Sequence, residues 1–216
     1  MDLWYPKAIR LDGPAWKQGY AGITTRQGKG LIGHSAEGRL TAALSTLDSS
    51  SQVSWCLFNT YDGTFYQHYP LSAVTWHGGC VFANAHFVGV EHEGRAGEPL
   101  TQAQVAALAE FIAWLAEQED WPSIERHVTL FEHREMAAYG AAPTACPSGR
   151  IPWEKVIDMV TIDYVARAAA EAAQAKADQN AYRERIAGLI LSGDGETAYR
   201  ETQLLRKFCG LPLVVV

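Results

Sequence analysis

At 216 residues, with 48% hydrophobic content and seven Trp, the chain fits one domain, or one domain plus an appendage, with enough apolar material for a substantial core. A formal net charge of −6 argues against nucleic acid, whose phosphates reward Lys and Arg. No apolar run approaches the roughly 18 residues that a membrane span needs.

The acidity is uneven. Residues 1–160 carry 11 Lys/Arg and 17 Asp/Glu, whereas residues 161–216 carry seven of each. The opening Met1-Asp2-Leu3-Trp4-Tyr5-Pro6 has neither the basic start nor the apolar core of a signal peptide. The expectation is a protein held in the cytoplasm of the producing cell until it is released. Cys56, Cys80, Cys146 and Cys209 include no Cys-x-x-Cys pair, which argues against a four-cysteine zinc site. All but Cys146 read as buried small hydrophobes.

In chain order, residues 1–28 read as an irregular segment rich in Gly and Pro. A strand is predicted over Lys29–His34 and a short helix over Arg39–Leu47. An apolar strand follows over Val53–Asn59, then a hairpin turn at Asp62-Gly63 and a returning strand over Thr64–His68. His86–Glu93 reads as a strand, with Glu91 and Glu93 on the face opposite His86, Val88, Val90 and His92. Thr101–Glu119 is the best helix in the chain. Thr101 and Gln104 sit at capping-box spacing, and Val105, Leu108, Phe111, Ile112 and Leu115 form one apolar stripe. His127–Glu132 is predicted as a strand that delivers His133. Pro152 suits the first turn of a long helix reaching about Ala177.

Residues 161–216 read as a helical C-terminal extension broken near Gly193-Asp194-Gly195, and the terminal Val214–Val216 is expected to lie against other structure. The order of elements predicts an α/β fold: a single mixed β-sheet flanked by helices, with 1–160 as the main domain and 161–216 as the extension.

His34 ends one predicted strand and His133 another, and Cys146 follows in a loop marked by Ala-Pro-Thr-Ala-Cys-Pro. Two imidazoles and a thiolate can hold one Zn²⁺ and leave its fourth position for water. From the residues alone this remains a candidate set, because most histidines are surface or satisfied core residues.

Five motifs in order carry a resemblance over about residues 29–156. They are Leu31-Ile32-Gly33-His34-Ser35-Ala36, the run from Val53 to Gln67, Val74-Thr75-Trp76-His77-Gly78-Gly79, the run from Asn84 to Gly94, and Ala142-Pro143-Thr144-Ala145-Cys146-Pro147-Ser148. Together they resemble the zinc N-acetylmuramoyl-L-alanine amidases of the phage lysozyme and peptidoglycan-recognition type. The resemblance implies Zn²⁺ on His34, His133 and Cys146, and cleavage of the amide between N-acetylmuramic acid and L-alanine of the stem peptide. It implies that Glu91 is the acid/base partner of the attacking water. Thr144 stands where many relatives have lysine, and its hydroxyl is expected to donate one hydrogen bond to the developing oxyanion. Trp55 stands where relatives often have tyrosine. Trp55, Trp76, His77 and Asn84 are the expected substrate-binding residues, while Glu93 and His92 are expected to be structural or groove residues.

The implied partner is bacterial peptidoglycan, and the implied role is that of a phage endolysin. Two other functions compete with this one. A non-catalytic peptidoglycan receptor on the same fold usually lacks the cysteine ligand, which this chain has. A glycosidase needs carboxylates flanking the scissile bond, whereas Glu91 and Glu93 share one face.

Overall fold

Six strands form one sheet in the computed structural model, which describes residues 3–208. They are β1 (Ile9–Arg10), β2 (Gly30–Ser35), β3 (Leu57–Asn59), β4 (Phe65–Gln67), β5 (Phe87–His92) and β6 (Leu130–Glu132). Their spatial order is β1-β4-β3-β5-β2-β6, and every neighbouring pair is parallel except β3 with β4. The sheet is therefore mixed, as its single hairpin requires. All six residues of β2 are buried, and so are five of the six in β5. Such continuous burial is what central strands covered on both faces show.

The hairpin turns at Asp62-Gly63. Asp62 Oδ1 accepts from Thr60 Oγ1 at 2.6 Å and from the Thr64 amide at 3.0 Å, and Gly63 takes φ +85°. The strand predicted over Val53–Asn59 is shortened to β3. Ser54 accounts for this, since its hydroxyl donates to Lys17 O at 2.6 Å and accepts from the Trp76 amide at 2.8 Å. Those bonds draw Val53–Trp55 away from the ladder, whereas Cys56 still donates to Gly89 O at 3.2 Å.

Helix α1 (Leu40–Asp48) follows β2, and a six-residue helix α2 (Val81–His86) occupies the turn before β5. Helix α3 (Gln102–Gln118) carries the predicted capping box: Thr101 Oγ1 accepts from the Gln104 amide and Gln104 Oε1 accepts from the Thr101 amide, both at 3.0 Å. Its stripe of Val105, Leu108, Phe111, Ile112 and Leu115 is buried in the main core. There Phe111 meets Tyr5 and Phe65 at ring separations of 5.1 and 5.3 Å. Each such side chain contributes roughly 1.5–3 kcal/mol by burial.

β6 is shorter than predicted because His127 adopts φ +64° and donates its amide to Leu130 O at 2.9 Å, making a tight loop ahead of the strand. A 3₁₀ helix over His133–Tyr139 then ends at Gly140, whose φ of +96° suits glycine. Helix α4 (Trp153–Leu191) begins one residue after Pro152, which was expected within its first turn, and runs well past Ala177. After a break at residues 192–194, helix α5 (Gly195–Phe208) begins, with Asp194 Oδ1 accepting from the Thr197 amide at 3.1 Å.

The chain divides into two compact units, one ending at Ile162 and the other beginning at Asp163. Cys209 and Val214–Val216 lie outside the described residues. Cys56 is buried and Cys80 half-buried. Among the described residues no helix is long and apolar enough to cross a membrane.

Candidate metal centre

Strands β2, β5 and β6 are parallel, so their C-terminal ends meet at one edge of the sheet. Register pairs His34 of β2 with Glu91 of β5, and Gly33 with Glu132, the last residue of β6. His133 follows immediately. The edge beyond the carboxyl ends of parallel strands is where open α/β sheets place their ligands. Cys146 reaches the same edge by a loop tied back through the Arg134 amide to Cys146 O at 2.8 Å. The Ser35 amide donates to Cys146 Sγ at 3.2 Å.

One ligand atom each from His34, His133 and Cys146 lies within 4.8 Å of the others. Cys146 Sγ is 3.9 Å from His34 Nδ1, and the rings of His34 and His133 are 4.7 Å apart. Tetrahedral zinc keeps such ligand atoms about 3.4–3.6 Å apart, as follows from bonds of roughly 2.0–2.3 Å. A small inward shift of three side chains closes the set, so the donors fit that ion. Their chemistry also fits. Burial holds His34 well below the ordinary histidine range and lowers His133 too, keeping both imidazoles neutral. Burial, reinforced by Glu91, pushes the Cys146 thiol up to about 12, so an incoming cation has to displace its proton.

Glu91 Oε1 lies 3.9 Å from His34 Nδ1, and its Oε2 is buried with no hydrogen-bond partner. Burial pushes this carboxyl up to about 8; Glu37 adds to the shift and Arg150 opposes it. Glu93 does not share the site. It lies just past β5, where its carboxylate accepts from the Leu40 amide at 3.2 Å and the Tyr61 amide at 2.9 Å. His92 is fully buried, 3.2 Å from Asn59 Nδ2, and is not among the metal donors.

The three donors and Glu91 line a cavity of about 420 Å³, walled in part by Trp55 and Trp76. The other sequence-predicted site residues are placed differently. Thr144 is not part of the lining; its Oγ1 accepts from the Cys146 amide at 3.2 Å, and its own proton stays free to donate. His77 borders the cavity, but Nδ1 is 3.0 Å from His34 Nε2 and Nε2 is 3.1 Å from Phe87 O, so neither ring nitrogen is left for substrate. Asn84 is 3% exposed and outside the lining. Its Oδ1 accepts from the amides of His77 and Gly78 at 3.0 and 2.6 Å, and its Nδ2 donates to Tyr20 Oη at 2.5 Å. It organises the loop instead of facing a ligand.

Sequence reasoning missed Arg150, a buried cation that donates to Glu98 O, Ser35 Oγ, His92 O and Glu93 O at 2.6–3.1 Å. It also missed Trp153, whose indole donates at 2.9 Å to Oε1 of Glu132, the residue before His133. The only hint of Arg150 was its place four residues after Cys146, and a single arginine forms no pattern.

Comparison with solved structures places this fold. The chain is similar to the N-acetylmuramoyl-L-alanine amidase LysC from Clostridium intestinale URNW, at 20% identity and TM-score 0.53, over 70% of this chain and 95% of that one. It is similar to Staphylococcus aureus hydrolase AmiA in complex with its ligand, at 16% identity and TM-score 0.60, over 77% and 87% of the two chains. It is also similar to a selenomethionine derivative of AmpD, at 18% identity and TM-score 0.55, over 74% and 98%. No curated protein matches. The N-acetylmuramoyl-L-alanine amidase family matches residues 24–149, more than half the chain and the whole stretch from β2 to the Cys146 loop. On that match the chain belongs to the N-acetylmuramoyl-L-alanine amidase family, and its reaction class is amide hydrolysis.

Proposed function

We propose that this chain hydrolyses the amide between N-acetylmuramic acid and L-alanine of the stem peptide, using one Zn²⁺ on His34, His133 and Cys146. The observation that carries the reading is the convergence of those three ligand atoms within 4.8 Å beside the Glu91 carboxyl. A bound zinc ion supplies Lewis acidity to the amide carbonyl and lowers the pKa of water from 15.7 to about 7.

The protein's own groups do the rest. Glu91 takes the proton of the attacking water and returns it to the leaving amine. Its unpaired Oε2 and raised pKa suit a carboxyl that must both hold and release a proton. Thr144 stands outside the cavity lining beside Cys146, with a hydroxyl proton that would reach an oxyanion only at the cavity's edge. Trp55 and Trp76 give the cavity flat apolar walls against which sugar or peptide can lie. Asn84 leaves the substrate-binding set and becomes the brace of the 77–78 loop.

The same reading makes residues 1–160 the catalytic domain and 161–216 an extension. It makes the chain a phage endolysin that acts on the wall after release, a role supported by similarity to a protein described as an endolysin amidase, LysCS from Clostridium intestinale URNW. Digestion of purified peptidoglycan by the zinc-loaded chain tests the activity. New L-alanine amino groups without new reducing sugars are expected. New reducing sugars would indicate a glycosidase, and binding without either product a receptor. Lysis of a bacterial host from inside, only after its membrane is permeabilised, tests the biological role.

A further inference from the structure

We infer that His77 is a positioning residue that selects which nitrogen of His34 faces the metal position, by accepting the proton on His34 Nε2. The inference rests on the proposed ligand set and goes beyond it to the layer behind.

The assignment follows from donor and acceptor counting. His77 Nε2 lies 3.1 Å from Phe87 O. A carbonyl only accepts, so that nitrogen carries a proton. A neutral imidazole has one N–H, which leaves His77 Nδ1 as a lone pair. No carboxylate is among the hydrogen-bond partners of this buried ring, and a second proton would leave an unpaired buried charge. His77 Nδ1, 3.0 Å from His34 Nε2, is therefore the acceptor, and His34 Nε2 the donor. His34 must then present Nδ1 as a bare lone pair. Nδ1 is the atom that lies 3.9 Å from both Cys146 Sγ and Glu91 Oε1.

His77 is itself fixed from three sides. Phe87 O holds its far nitrogen. Asn84 Oδ1 holds its backbone amide at 3.0 Å. Gly89 lies flat beneath the ring: a Cβ there would stand 2.4 Å from His77 Cγ and 2.7 Å from Nδ1, so any side chain at 89 displaces the ring. His77, Asn84 and the Phe87 carbonyl thus serve the orientation of one ligand. Partners of this kind raise ligand basicity and fix the ring, and losing them typically costs about 10–100-fold in metal affinity.

The test uses the full chain and two variants. His77→Leu keeps the bulk and removes the acceptor. His77→Asn returns an oxygen close to the Nδ1 position. Long-range ¹H–¹⁵N correlation on metal-free protein reports which His34 nitrogen is protonated. Competition with a chromophoric chelator reports zinc affinity. The expected result is a single Nε2–H tautomer for His34 in the wild type, tautomer mixing and about 10–100-fold weaker zinc binding in His77→Leu, and recovery of most of that loss in His77→Asn. A wild-type His34 protonated on Nδ1 would overturn the inference, even if His77→Leu did not fold. A folded His77→Leu with unchanged tautomer and zinc affinity would overturn it as well. Failure of the wild type to bind zinc would instead sink the metal reading, and the metal-free tautomer would still judge His77 by itself.

Discussion

Replacing Arg150 by Met tests how the Cys146 loop is held to the sheet. Arg150 is 3% exposed and donates to Glu98 O, Ser35 Oγ, His92 O and Glu93 O. Two of those acceptors keep another donor: His92 O has the Ala36 amide at 3.0 Å, and Glu93 O has Gln104 Nε2 at 3.0 Å. The uncompensated losses are the bonds to Glu98 O and Ser35 Oγ. Hydrogen bonds to a charged group contribute about 1.5–3 kcal/mol each. Relief of the guanidinium's desolvation and the retained methylene packing offset part of the loss, leaving about 3 kcal/mol. For a chain of this size that lowers Tm by roughly 6–12 °C. It lowers the urea midpoint by about 1.5 M if the slope is about 2 kcal/mol/M. Tryptophan fluorescence during urea titration of the full chain, at fixed zinc concentration, is the measurement. A midpoint within about 0.3 M of wild type would show that the Arg150 contacts are not what secures the loop.

Other substitutions probe other parts of the argument. Cys146→Ser should lower zinc content and activity together, read by metal analysis of the purified variant and by peptidoglycan digestion. Glu91→Gln should retain zinc but lose about 10²–10⁴-fold in turnover, the usual worth of a positioned acid/base group; a fully active variant would remove Glu91 from the mechanism. Thr101→Ala breaks the α3 capping box and should cost about 0.5–2 kcal/mol in a urea titration. Burial depresses the folded pKa of His92 to about 3, so the folded ring resists a proton that the unfolded chain accepts near 6.5. Its contribution is full above about pH 6.5 and is lost as pH falls toward 3, at up to about 1.4 kcal/mol per pH unit. His92→Leu should therefore flatten the decline in unfolding free energy between pH 7 and 5.

What the sequence revealed follows from how local each signal is. Helix α3 was legible because its cap and apolar stripe both lie within eighteen residues. The break after α4 was legible for the same reason, with glycines at 193 and 195 in a run of helix formers. β1 was not legible, because two residues at a sheet edge pair with β4 across more than fifty positions and leave no local pattern. Helix α2 was lost because its alternation of apolar residues runs straight into β5. The three proposed ligands and Glu91 could be nominated because motif order marks them, with His34, Glu91 and His133 at or next to strand ends and Cys146 in a loop. For His77 and Asn84, expected as substrate contacts, the sequence shows that polar groups are present but not which way they turn. The amides of His77 and Gly78 and the carbonyl of Phe87 claim those groups, and backbone positions have no letter of their own.

The proposed ligands come from three separated stretches, with 112 positions between His34 and Cys146. No fragment that ends before the Cys146 loop holds the full set, however well its strands pair. During synthesis the cluster is completed only once that loop has left the ribosome, so metal capture on this reading is a late event. A protease nick that frees the stretch beyond Gly140 would take Ile151, Trp153 and Val156 from the core along with Cys146 from the proposed centre, so the metal site and the stability of the fold would be lost together.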